Sequence, residues 1–261
     1  MKRNTLAALM FCSIAMVGLA ALANHSWGGY HWARTSNPFT IKLGNNLTSS
    51  WQTYLSTASS DWTRSSVVHT TIVTGGVSRS SCPAVNGMVE VCNSTYGSTG
   101  WLGIASISLT GGTHITSGTV KLNDSYFNQS QYNTAAWRQM VTCQEIGHTF
   151  GLDHQDTNFT NLNLGTCMDY TNDPSGTKGT NGTLANTHPN AHDYNELVTI
   201  YSHLDSITTP RAPVALQVAA RADDDVELPR EVIEGRVPMF IEDLGNGEQR
   251  LTHVLWAPLE E

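Results

Sequence analysis

The sequence predicts one α/β or α+β domain followed by an acidic tail, and three observations carry that reading. Short apolar runs rich in β-branched residues recur between turn signals, while two longer stretches repeat apolar residues at helical spacing. Their order is strand, helix, several strands, helix, a long polar segment and a last helix, which layers helices against a sheet. Past about residue 205 the character changes: residues 211–261 hold 11 acidic against 5 basic residues and so carry −6 of the net charge of −8. The expected divisions are a signal segment (1–23), a domain (24–205) and a Pro-containing acidic tail (206–261).

The elements follow in chain order. Lys2 and Arg3, the apolar run "LAALMFCSIAMVGLAA" and the small-x-small site Ala21-Leu22-Ala23 form an export signal, cleaved so that the mature chain begins near Asn24. The run is too short for a membrane anchor. "FTIKL" (39–43) is the first strand, and a helix over about 47–63 carries a core stripe of Trp51, Tyr54, Leu55, Ala58 and Trp62. "VVHTTIV" (67–73), "MVEVC" (88–92), "WLGIASISL" (101–109) and "HITSGTVKL" (114–122) are further strands, the last two joined through Gly111-Gly112. A helix over about 134–150 stops at Gly151, a residue suited to the left-handed conformation that ends helices. Residues 155–190 are polar and irregular. A last helix over about 191–204 presents Tyr194, Leu197, Val198, Tyr201 and Leu204 on one face. The tail reads as solvated, with a short strand pair in "VPMFIEDLGNGEQRLTHVLW" as the alternative.

Hydrophobic residues make up 39% and charged residues only 14% of the chain, the balance of a loop-rich exported protein. The negative charge and the lack of any Lys/Arg cluster exclude nucleic acid as a partner. After loss of Cys12 with the signal, Cys82, Cys92, Cys143 and Cys167 remain, an even number that implies two disulfides in an oxidising compartment. Three pairings exist; Cys82–Cys92 would staple a hairpin loop, and Cys143–Cys167 would tie the 134–150 helix to the segment beside Met168. The expected location is secreted or periplasmic, and no membrane partner remains after signal cleavage.

The chemistry lies in "TCQEIGHTFGLDHQD" (142–156). Positions four apart share a helix face, so residues 144 and 148 present two side chains to one point, as two metal ligands require. Glu145 sits about 100° round, where a carboxylate can take a proton from a metal-activated water. Gly151 lets the chain turn so that His154 returns as a further ligand. Thirteen residues on comes "CMDY", Cys167 to Tyr170.

In these two motifs the chain resembles the metzincin zinc endopeptidases, whose H-E-x-x-H-x-x-G-x-x-H helix is followed by a Met-turn beneath the metal. The resemblance spans about residues 28–205, with sharp motifs only in 144–170. It implies a twisted mixed sheet with two long helices, an irregular lower part and a C-terminal helix. It also implies one zinc ion held by His148 and His154, Glu145 as general base and Met168 as an apolar floor. Tyr170 would stabilise the oxyanion, and the hairpin 103–122 would align an extended substrate. Gln144 departs from the pattern, standing where the family has its first histidine. Its amide oxygen is a ligand, or it bonds a metal-bound water, or the site holds no metal, or another residue replaces it. His114, His188 and His192 qualify for that replacement by residue type alone, while His25, His31 and His69 read as ordinary surface or strand histidines. Asp153 and Asp156 flank His154 as carboxylates that could orient an imidazole. Asp156 with Asn158, Asn161 and Asn163 offers oxygens to calcium, without a recognised calcium spacing.

The expected function is a secreted, monomeric zinc endopeptidase acting on protein or peptide substrates. The alternative is a catalytically impaired scaffold that grips extended peptides without cutting them. With no room for a propeptide between the signal and the first elements, the acidic tail is a candidate C-terminal lid.

Overall fold

The computed structural model describes residues 25–177, 182–210, 228–236 and 238–258. The signal segment and the tail between 211 and 227 lie outside the described residues. The first strand, β1 (His31–Trp32), is followed by β2 (Phe39–Asn46), a 3-10 turn (Ser49–Trp51) and α1 (Gln52–Trp62). Next come β3 (Val68–Thr74), β4 (Met88–Ser94), β5 (Trp101–Thr110), β6 (His114–Asn123) and the single turn α2 (Asp124–Phe127). The helix α3 (Ala135–His148), α4 (Ala191–Ile200), the short α5 (Arg230–Gly235), β7 (Met239–Gly245) and β8 (Glu248–Trp256) complete the order.

The fold is mixed α/β on one eight-stranded sheet, ordered β3-β2-β4-β6-β5-β8-β7 with β1 beside β6. β2, β3, β4 and β6 run parallel, and β5, β7 and β8 antiparallel to their neighbours. α1 and α3 cover one face. Trp51, Leu55, Ala58 and Trp62 of the predicted stripe are buried there with Ile41, Leu43, Val89 and Val120 of the sheet and Met140, Val141 and Ile146 of α3. Burial of apolar area at about 25 cal/mol per Å² is the main force holding these layers together. Thr134 caps α3, its side chain accepting from the Trp137 amide. Gly151 follows at φ +96°, and a Cβ there would meet the Tyr30 carbonyl oxygen at 2.0 Å, so only glycine fits this bend.

Two expectations are corrected. The last helix begins with a capping box between Asn190 and Asp193 but stops at Ile200, not 204. Tyr201 leaves the helix to donate its hydroxyl to the Phe150 carbonyl (2.9 Å), while Val198 and Leu204 are exposed. Residues 228–258 are not a solvated tail. β8 pairs with β5 along its whole length, from Trp101↔Trp256 to Thr110↔Glu248, and β7 becomes the sheet edge. The alternation of "LTHVLW" explains the docking. Leu251, His253 and Leu255 face the α3 side, and Val254 and Trp256 join Trp101, Ile104, Leu228 and Val232 in a second cluster on the other face.

Both disulfides are formed, Cys82–Cys92 and Cys143–Cys167. The second fastens α3 to the turn that carries Met168.

Candidate metal centre

α3 supplies Gln144, Glu145 and His148, all buried, and the bend at Gly151 returns His154 to them. The His148 and His154 Nε2 atoms lie 3.2 Å apart. His148 Nδ1 is 2.8 Å from the Leu152 carbonyl oxygen, which can only accept, so the ring proton sits on Nδ1 and the Nε2 lone pair points to His154 Nε2. Burial pushes the His148 imidazolium down to about 4 and that of His154 well below its ordinary value. Both rings are therefore neutral at neutral pH, the form in which imidazole ligates a metal.

The Met-turn lies beneath. A Cβ on Gly147 would meet the Met168 sulfur at 2.6 Å and the Trp62 ring at 2.7 Å, so a bare backbone lets both approach α3. Trp62 Nε1 donates to the Cys143 carbonyl (3.1 Å) and fixes the ring from below. Gln144 Nε2 donates to the Cys167 (2.8 Å) and Asp169 (3.0 Å) carbonyls. Because both acceptors are carbonyls, the amide orientation is determined, and Oε1 is left buried without a hydrogen-bond partner. The Tyr170 ring lies 5.0 Å from that of His154. Burial raises the Tyr170 phenol above its ordinary value, so it stays a donor.

A third imidazole arrives from the tail. His253 of β8 stacks on His148 with centroids 3.9 Å apart and 14° between planes, and Trp27 lies 4.0 Å away. Neither His253 ring nitrogen has a hydrogen-bond partner; Nε2 is 3.6 Å from Asp153 Oδ1. His148, His154 and His253 each offer a nitrogen, and these atoms lie within 4.8 Å of one another. The replacement histidines weighed from the sequence are engaged elsewhere. His114 faces Asp205, His188 Nδ1 lies 2.6 Å from Asp61, and His192 stacks on His25. His25 and His31, expected to be ordinary, are both buried. Asp156 bonds within its own loop, accepting from the Asn158 amide at 3.1 Å.

Glu145 is 0% exposed and neither carboxylate oxygen has a hydrogen-bond partner. Gly103 of β5 makes room for it: a Cβ there would stand 2.6 Å from Oε1. Burial without compensation holds this carboxyl well above its ordinary range. The donors suit a borderline-soft cation such as zinc: neutral imidazoles and an orphaned amide oxygen, beside a buried carboxyl without a hydrogen-bond partner.

No family model matches the sequence, and no curated protein does. Among solved structures, high choriolytic enzyme 1, a hatching enzyme zinc-protease of medaka fish (Oryzias latipes), is similar at a TM-score of 0.35 and 12% identity, over 66% of this chain and 94% of that one.

Proposed function

We propose that the chain is an exported zinc-dependent endopeptidase whose described state is closed by its own C-terminal hairpin. The observation that carries this reading is the pair of neutral imidazole nitrogens 3.2 Å apart on the α3 motif, beside an uncompensated buried carboxylate. His148, His154 and the Gln144 Oε1 would hold the ion from α3 and its bend, with His253 as a further donor from β8. A zinc ion so held supplies Lewis-acid polarisation of a carbonyl and a water acidic enough to attack near neutral pH.

The chain's own groups do the rest. Glu145 takes the proton of the attacking water and delivers it to the leaving amine, a role its raised proton affinity favours. The Tyr170 hydroxyl donates to the oxyanion that forms on the scissile carbonyl. Met168, packed against Gly147, keeps the floor apolar and dry.

Closure follows from ligand count and burial. Catalytic zinc sites keep a position open, whereas four protein donors close a site. Gln144, His148, His154 and His253 together make four. β8 also occupies the full length of β5, the edge along which an extended substrate would pair, and Glu145 is sealed from solvent. Hydrolysis therefore requires β8 to leave. The same seating of β8 favours a second reading, a groove that binds an extended peptide and does not cut it.

Zinc per chain, measured by elemental mass spectrometry after dialysis in metal-free buffer, tests the centre. The His148→Ala/His154→Ala variant is expected to hold one zinc fewer than the parent, and Glu145→Ala the same number. An unchanged count in the double variant would remove the metal from this site and leave the peptide-binding reading.

A further inference from the structure

We propose that the fold carries a second metal centre, formed by His31, His203 and Asp205 with His114 beside Asp205, that takes a divalent transition metal such as zinc as a structural clasp. It shares no residue with the α3 centre and does not depend on the endopeptidase reading.

His31, His203 and Asp205 each offer one donor atom, and these atoms lie within 4.8 Å of one another, while His114 meets the group at Asp205 Oδ1. His31 Nε2 and His203 Nε2 are 3.1 Å apart. The Asp205 Oδ1 atom lies 3.5 Å from His31 Nε2, 3.3 Å from His114 Nε2 and 3.6 Å from His203 Nε2. Donors held about 2.0–2.1 Å from a tetrahedral zinc stand roughly 3.3–3.4 Å from one another, and the three separations among His31, His203 and Asp205 (3.1, 3.5 and 3.6 Å) bracket that value.

The surroundings prepare each donor. His31 Nδ1 is 2.8 Å from the Gly29 carbonyl oxygen, which fixes the ring proton on Nδ1 and turns the Nε2 lone pair inward. Asp205 Oδ2 is already taken by the Arg34 amide (3.1 Å) and guanidinium (2.9 Å), leaving Oδ1 as a single free donor. Arg34 also donates to the His203 carbonyl, so one buried cation orients two of the four residues. Three imidazoles and one carboxylate suit zinc over calcium or magnesium, which take oxygen ligands.

The clasp joins parts distant in sequence. His31 of β1 stands opposite His114 of β6 in register, and His203 and Asp205 follow the end of α4. A metal here ties the first strand and the end of the last domain helix to the sheet. With His114 beside Asp205 to take the fourth position, the site is closed and structural, and the partly exposed side chains of His114 (27%) and His203 (53%) give it an entry path.

The test is His114→Ala/His203→Ala in the full chain, with zinc per chain by elemental mass spectrometry and Tm with and without added zinc. One zinc fewer than the parent, and a smaller rise in Tm on zinc addition, are expected. Should the double variant misfold, His203→Gln alone is expected to weaken zinc at this centre at least ~10-fold, since even outer-shell partners are worth about that much. A zinc count and a zinc response equal to the parent's would overturn the proposal. A parent whose Tm ignores zinc would also overturn it, leaving the cluster a set of imidazole–carboxylate contacts.

Discussion

Gln144 stands where the helix motif calls for an imidazole, and its amide divides its work. The nitrogen ties α3 to the two carbonyls of the Met-turn, and the oxygen stays free in a buried place. The placement of side chains was legible where it depends on spacing inside one helix and the turns that follow: His148 lies against His154, Tyr170 beside His154 and Met168 against Gly147. His253 was not legible, because its place beside His148 depends on the pairing register of a strand about a hundred residues away, and a slip of one residue would turn it to the other face. Burial acts at this scale away from the site as well. Glu90 of β4 is buried with a hydrogen bond from Asn46 Nδ2, and desolvation raises its carboxyl above the ordinary 4.5 despite that bond. A group with a raised folded-state value favours the fold below its unfolded value, and that contribution is lost as pH rises through the folded one. Glu90→Gln is therefore expected to raise the unfolding free energy at about pH 7 and to leave it near the parent's below about pH 4, as measured by urea unfolding at both.

Among the elements, α3 and the hairpin β7–β8 decide the site. α3 must be approached closely by Met168 and Trp62, which is why Gly147 sits in a helix despite its poor propensity. Gly147→Ala gains about 1 kcal/mol of helix propensity but forces a sulfur and a rigid indole apart, and overpacking costs about 1–3 kcal/mol. A net loss of stability in denaturant unfolding is expected. A stability equal to or above the parent's would show that Met168 can move aside and that the floor is loose. The hairpin was half legible. The strand pair could be read from "MFIEDLGNGEQRLTHVLW", yet the acidic composition of 211–261 argues for solvation. The charges fall at other positions than Leu251, Val254, Leu255 and Trp256, which supply the apolar surface that docks the strand. Composition averages over a segment, whereas docking depends on one face of it.

At the scale of the molecule, the C-terminal strand completes the sheet, and in the proposed reading the same pairing closes the cleft. Strand addition at an edge is one way extended peptides are bound, so under the proposed function an intramolecular strand there would compete directly with substrate. The order of elements and the mixed α/β class were readable from the sequence. The joining of Trp27 and of β8 to the site was not, since it rests on contacts far apart in sequence. The most direct test compares, after zinc loading, the full chain with the chain ending at Pro210 on a reduced and alkylated protein substrate. The shortened chain is expected to cleave faster, to lose that activity on Glu145→Ala, and to be inhibited by a peptide spanning 228–258 added back. A folded, zinc-loaded shortened chain that cuts no faster than the full chain would contradict the account.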